Sequence, residues 1–347
     1  MAISKSEYAK RLGNVRAALE KKGLKAMLVA RDENIRYLTG SDSGRIFVSL
    51  SDSVHWTSPI YEDLLKNSPI PWRGIKEKKE IRNFLLKTSY KKIGVDEMYY
   101  SSLVDLRKKI KKSIQVLDVI EDLRKIKSKA EIELLEKSAR IASGAMEKVG
   151  LLDVIGMTEF ELAAEVEYEI RKNGSETAPF GKGIICLSGP NTKYIHGFPS
   201  NRKIEEGDLV MLDIGAVYDG YNSDMTRTLE VGRVGKEKKD IADFVKALKE
   251  SAIDKIYIGG RISEIHGFIE KQIEKKGYKF LHLSGHGIGL EIHEKPSISP
   301  EEKDVFQKGM AFTIEPGIYT GAFGARSEDS IVLDNRKKII TQLAAVS

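Results

Sequence analysis

The chain is 347 residues long, 41% hydrophobic and 31% charged, with a formal net charge of +6 at pH 7. This length predicts two domains, and the composition is that of a soluble globular protein. No stretch approaches the roughly eighteen consecutive apolar residues of a membrane span, and 57 basic residues interspersed with 51 acidic ones argue against a nucleic-acid partner. The N-terminal MAISKSEYAKR lacks the apolar core of a signal peptide, so a cytoplasmic protein is expected. A single cysteine, Cys186, excludes an internal disulfide framework and reads as a buried small hydrophobe.

Taken in order, Ser4-Lys5-Ser6-Glu7 has the form of a capping box, and Tyr8, Leu12, Val15 and Leu19 follow at helical spacing up to Gly23. Strands are predicted at 26–30, 46–50, 54–57, 93–96 and 114–119, with helices at 60–67, 77–87 and 101–111. Strands alternating with helices predict an α/β domain over 1–120. The charged segment 121–129 reads as a linker to a second domain over 130–347. There, Ser128-Lys129-Ala130-Glu131 and Thr158-Glu159-Phe160-Glu161 predict two capped helices, ending near Val149 and Asn173-Gly174. Strands at 183–188, 209–228, 309–320 and 326–334 and helices at 236–255 and 263–276 suggest an α+β class.

Within the second domain, the segment Leu209 to Thr228 carries Asp213 and Asp224 on either side of Asp219-Gly220, a hairpin signal. Folding back there puts the two carboxylates on one face, directly opposite or on the diagonal. Either they are exposed acids, or a proton or cation sits between them. Glu315 and Glu328 stand in the same relation about the turn Thr320 to Gly324. His286 lies in Ser284-Gly285-His286-Gly287-Ile288-Gly289, where glycines allow close approach of the backbone. His293 follows in Leu290 to Glu294, whose alternation predicts a strand with Glu291 and His293 on one face. His266 reads as structural or exposed, and His282 as a packed ring. Four buried carboxylates without cations would cost several kcal/mol each or hold protons. Two divalent ions about 3.5–4 Å apart would relieve that repulsion. Oxygen ligands with one nitrogen suit Mn, Co, Fe or Zn without choosing among them.

The order LDIG, SDMTRT, GHGIG, EPGIY and RSED resembles the pita-bread-fold metallopeptidases, the family of methionine aminopeptidase, aminopeptidase P and prolidase. The segment Asn34-Ile35-Arg36-Tyr37-Leu38-Thr39-Gly40 looks like the N-terminal domain of prolidases and aminopeptidase P, and the size is similar to the compact archaeal and bacterial prolidases. The resemblance implies an α/β N-terminal domain followed by an α+β pita-bread catalytic domain that hydrolyses Xaa-Pro dipeptides. Its implied metal ligands are Asp213, Asp224, His286, Glu315 and Glu328, with Asp224 and Glu328 bridging, and its implied nucleophile is a metal-bound hydroxide. Glu315 doubles as proton shuttle. His196, in Asn191 to Gly197, and His293 match the substrate-contacting histidines, each otherwise a satisfied histidine beside a loop. Phe180 and Ile292 match the slot for the prolyl ring, core packing being the other reading. Arg326 is a candidate partner behind the carboxylates. A homodimer is the family expectation.

One position departs from the pattern. Several prolidases carry an arginine four residues after the second histidine, where it grips the dipeptide carboxylate. Ser297 stands there, and Lys295 offers only a point charge nearby. An aminopeptidase P-like enzyme acting on longer peptides is therefore the alternative. The same fold also occurs in catalytically silent binding modules, which usually lose some of the five ligands that this sequence keeps.

Overall fold

In a computed structural model, which describes residues 3–75, 77, 79–177, 180–181 and 183–343, the chain divides into two compact units, one ending at Arg124 and one starting at Lys125. The first unit runs α1 (Lys5–Lys21), β1 (Ala26–Val29), α2 (Asp32–Thr39), β2 (Arg45–Ser49), β3 (Ser53–Thr57), β4 (Trp72–Gly74), α3 (Lys79–Lys87), β5 (Lys92–Val95), α4 (Tyr100–Ile110), β6 (Ser113–Val116) and α5 (Val119–Arg124). Its six strands form one mixed sheet in the order β4-β3-β2-β1-β5-β6. Within it β1 pairs antiparallel with β2 and parallel with β5. Apolar side chains from β1, β2, β3, β5, α3 and α4 form a core that includes Phe47, Trp56, Leu85, Ile93 and Leu103.

Three expectations change in this unit. The segment predicted as a helix at 60–67 is a 3-10 turn, Pro59–Leu65. Ile60 and Leu64 are exposed there, so no packed face supports a longer α-helix. The 121–129 linker is helical at its start: α5 buries Val119 and Ile120, and Arg124 donates to Asn34 Oδ1 at 2.9 Å. Finally, α2 was not foreseen, although Gly40 in the left-handed region ends it in the manner of a helix C-terminus.

The second unit opens with α6 (Lys129–Val149) and α7 (Glu159–Lys172), both started by complete capping boxes, each cap contributing about 1 kcal/mol. There follow β7 (Ile185–Ser188), a 3-10 turn at Gly189–Lys193, β8 (Leu209–Ile214), β9 (Val217–Tyr218), β10 (Tyr221–Asn222), β11 (Met225–Glu230), α8 (Lys236–Asp254) and α9 (Ile262–Lys275). The last strands are β12 (His286–Gly287), β13 (Glu294–Ser297), β14 (Ala311–Ile314), β15 (Gly317–Tyr319), β16 (Gly324–Arg326), β17 (Asp329–Leu333) and β18 (Lys337–Ile339). Two larger sheets result, β11-β8-β7 and β13-β12-β14-β17-β18.

Each sheet has its own helix pair. Helices α6 and α7 pack Ala142, Met146, Leu162 and Val166 against Leu212 and Ile214 of β8. Helices α8 and α9 pack Val245, Leu248, Ile265 and Ile269 against Phe312, Ile314 and Ile331. Because successive strand residues face opposite ways, Asp213 points away from the first helix pair and Thr313 away from the second. Cys186 is fully buried in the first of these cores.

Candidate active site

The first hairpin adopts the diagonal of the two registers left open by the sequence. Tyr218 pairs with Tyr221 across Asp219-Gly220, and both turn residues have positive φ, 48° and 78°, as the tightest hairpin loops require. The same register carries through to Ile214↔Met225 and Asp213↔Thr226. Asp224 thus lies two residues along from the partner of Asp213, on the same face.

The second hairpin brings its acids directly opposite each other. The pairs Ile314↔Asp329 and Gly317↔Arg326 bracket Glu315 and Glu328 in one continuous register. Between those pairs the ladder opens. Glu315 N–H donates to Ser284 O at 2.9 Å, and Glu328 N–H donates to Thr226 O at 3.1 Å. Each glutamate is thereby tied by its backbone to a different segment: Glu315 to the start of the histidine loop, Glu328 to β11. Thr226 also donates from Oγ1 to Glu328 Oε2 at 2.7 Å.

His286 enters from the glycine loop. A Cβ at Gly285 would run into the Thr313 carbonyl, and one at Gly287 into the Lys295 carbonyl, so glycine is needed on both sides. His286 Nδ1 lies 3.1 Å from its neighbour's Gly287 O, and Nε2 lies 3.5 Å from both Asp224 Oδ2 and Glu315 Oε1. Ligand atoms of Asp224, His286 and Glu328 all fall within 4.8 Å of one another. Asp213 is drawn to Arg326, whose Nη2 donates to Oδ2 at 2.5 Å. Arg326 is buried and also donates to Tyr319 OH at 2.7 Å, Thr226 Oγ1 at 3.1 Å and Ile195 O at 3.1 Å.

One cavity of about 480 Å³ is lined by all ten residues singled out in the sequence, including His196, His293, Phe180, Ile292 and Arg326. Ser297 and Lys295 are not among its described lining residues. The Leu290 to Glu294 strand does not form. Residues 290–293 are bent and β13 begins only at Glu294. Asn222 donates twice to Gly289 O, from N at 2.7 Å and Nδ2 at 3.0 Å, and Gly289 N–H turns to Glu291 O at 3.0 Å. That local turn consumes the groups a ladder would need. His293 instead packs edge-on to His286, ring centroids 4.2 Å apart.

The charges at this site are unbalanced. Burial, reinforced by Glu328, Asp213 and Glu315, holds Asp224 well above the usual carboxylate range. Glu328 is raised likewise, by burial and then by Glu315 and Asp213, and burial pushes Glu315 up to about 8. His286 is pushed down to about 3, chiefly by burial and then by His293, so it stands neutral with a lone pair to offer. Oδ1 of Asp213 and Oδ1 of Asp224 are buried without a hydrogen-bond partner among the described residues. Buried acid oxygens of this kind cost several kcal/mol unless protonated or bound to a cation. The donor set, carboxylate oxygens with one neutral imidazole, fits divalent cations.

The sequence reading missed one neighbour. His282 packs against Phe280 and Tyr319, its Nδ1 lies 3.9 Å from Glu315 Oε2, and burial pushes it down to about 3. Its place one apolar step before a glycine loop carried no signal of that contact.

Comparison with known proteins gives the same picture. Residues 133–335 match metallopeptidase family M24, and residues 11–126 match the creatinase/prolidase N-terminal domain. An Xaa-Pro dipeptidase of Pyrococcus horikoshii is 35% identical over 337 residues, spanning 93% of this chain and 94% of its own. The solved prolidase of Pyrococcus horikoshii OT3 superposes with a TM-score of 0.91 at 32% identity, covering 97% of this chain and 99% of that one. The X-Pro aminopeptidase of Thermotoga maritima MSB8 does so with a TM-score of 0.84 at 29% identity, covering 97% and 98%. With both domain matches and these relatives in agreement, the chain belongs to metallopeptidase family M24 and carries the creatinase/prolidase N-terminal domain.

Proposed function

We infer that this metallopeptidase cleaves the peptide bond before proline in Xaa-Pro dipeptides, using two divalent ions. Asp213, Asp224, His286, Glu315 and Glu328 would hold them. The observation that carries this reading is the set of buried acids left with partnerless oxygens beside a neutral imidazole. Bound divalent ions would supply the positive charge that makes a water acidic enough to attack and polarises the scissile carbonyl.

The chain's own groups do the remaining work. Glu315 holds the proton taken from the attacking water on its carboxyl group and passes it to the departing prolyl nitrogen. His196 and His293 face the cavity from two different segments, and an imidazole N–H on each can donate to the oxyanion that develops on the carbonyl. Burial holds His293 below the ordinary histidine range, so at neutral pH it acts as a neutral donor. Proline has no N–H after the scissile bond, so the ring must be recognised by shape. Phe180 and Ile292 offer an apolar wall for it. Arg326 keeps Asp213 oriented and ties it to the segment before His196 through Ile195 O.

A second reading is favoured by Ser297. Its backbone N–H is engaged by Glu302 at 3.3 Å, and the cavity's described lining offers one guanidinium, Arg326, already committed to Asp213 and Tyr319. A free dipeptide carboxylate therefore meets no dedicated fork, which suits a peptide extended beyond proline. The test is direct. After loading with Mn or Co, metal analysis is expected to return about two ions per chain, and an Xaa-Pro dipeptide is expected to be cleaved faster than an Xaa-Pro-Yaa tripeptide. Retention of no divalent metal would sink the enzymatic reading. A clear tripeptide preference would replace the dipeptidase with an aminopeptidase.

A further inference from the structure

His196 reaches the cavity from a segment, residues 191–200, that forms no strand or α-helix beyond the end of its 3-10 turn. No hydrogen bond among the described residues holds its ring, so the loop backbone must place it. Both ends of that loop converge on one carboxylate, Glu159, the fully buried first residue of α7. At the near end, Glu159 Oε1 accepts from Ser188 N at 2.6 Å and Ser188 Oγ at 2.8 Å, and both of its oxygens accept from Asn191 Nδ2 at 3.1 Å. At the far end, Oε2 accepts from Ser200 N at 3.0 Å and Ser200 Oγ at 2.6 Å.

The helix start adds its own grip. Backbone N–H groups of Glu159 and Phe160, which lack intrahelical partners, donate to Arg202 O at 3.0 Å and Ser200 O at 3.2 Å. Between the two ends the loop is held from below, where Arg326 Nη1 meets Ile195 O at 3.1 Å and Thr192 Oγ1 accepts from Gly324 N at 2.9 Å. A carboxylate satisfied by six hydrogen bonds from segments 29 to 41 residues away is a costly thing to bury for packing alone.

We propose that Glu159 is the positioning residue for His196, closing the 191–200 loop at both ends so that the imidazole stands over the acid cluster. The inference rests on the reading of His196 as a group that contacts substrate. Displacing a reacting group by about 1 Å costs on the order of a hundredfold in rate, so a carboxylate that never touches substrate can still govern turnover.

The test uses the metal-loaded protein and two readouts. In Glu159→Gln, whose amide turns a donor toward donors, amide hydrogen exchange is expected to rise in residues 191–200 while β8, β11 and β14 stay protected. The kcat for an Xaa-Pro dipeptide is expected to fall about tenfold to a hundredfold with metal content unchanged. In a His196→Ala background, adding Glu159→Gln is expected to change kcat by less than about twofold, since the route through His196 is already cut. Undiminished loop protection, or a full additional loss on top of His196→Ala, overturns the proposal. Should Glu159→Gln fail to fold, the double variant Asn191→Ala with Ser200→Ala leaves the carboxylate in place and is expected to give the same exchange pattern. Its wild-type protection would equally overturn the proposal. If the wild-type protein turns over no Xaa-Pro peptide, the functional reading falls while the exchange experiment still decides whether Glu159 holds the loop.

Discussion

Among the places where this protein buries carboxylates, two do so in opposite ways. In the first unit Asp96 is fully buried at the end of β5 and accepts from Ala30 N at 2.7 Å, Arg31 N at 3.0 Å and Asn34 Nδ2 at 3.0 Å. Those bonds pin the start of α2 to the sheet, and Asn34 passes the link on to Arg124 of α5. In the second unit Asp213, Asp224, Glu315 and Glu328 crowd together, and two of their oxygens have no hydrogen-bond partner among the described residues. A buried acid with its donors supplied is a fastener. A buried acid left wanting is a site, because only a proton or a cation completes it.

The largest effect expected from that contrast is metal removal. A strong chelator should abolish peptidase activity, and Mn or Co should restore it, as read by hydrolysis of an Xaa-Pro dipeptide. Because an ion that binds only the folded state at a hundred times its Kd adds about 2.7 kcal/mol of stability, the melting temperature should also fall on chelation. Activity that survives exhaustive chelation would erase the distinction between the two acid centres.

Next in size is Glu315→Gln. It keeps the shape and removes the proton carrier, so kcat should drop by on the order of a thousandfold with the circular dichroism spectrum unchanged; near-normal turnover would refute the assigned role. Arg326→Met should cost less, roughly ten- to a hundredfold in metal affinity or activity, since it frees Asp213 and releases Ile195 without touching a reacting atom. Metal titration separates those two losses.

The smallest expected effect on turnover belongs to Asp96→Asn, namely none, and it acts on stability through pH. Burial pushes Asp96 up to about 6 from a model-compound value of 3.8. A folded-state value above the unfolded one means the advantage is complete below about pH 4 and is lost as pH rises through 6. Relative to the Asn variant, the wild-type protein should therefore lose on the order of 3 kcal/mol across that window, measured by denaturant melts at successive pH values. A flat difference would show that its three donors fully offset its burial.

Much of the site was legible because its spacing is local. Asp-Gly at 219–220 limits the hairpin to few registers, and the shared face of Asp213 and Asp224 follows in each. Glu315 and Glu328 are likewise disposed about one turn. The glycines beside His286 announced a close approach, which Thr313 O and Lys295 O supply. What escaped depends on contacts between distant segments. Alternation at 290–293 looked like a strand, yet Asn222, some 67 residues earlier, bends it. His282 gains its place beside Glu315 because Gly317 leaves room for its ring, a Cβ there coming within 2.9 Å of His282 Nε2. Glu159 looked like one more acid in a first helical turn, and its partners lie in a loop that no periodicity connects to it.

The buried thiol has a practical consequence. Cys186 is the sole cysteine of the chain, fully buried in β7, and burial raises its pKa far above that of a free thiol. A thiol held in that form does not react with maleimides or spin-label reagents. The native protein is therefore already a blank canvas for site-directed labelling: a cysteine introduced on any exposed loop becomes the one reactive point in the molecule, with no native residue to remove first.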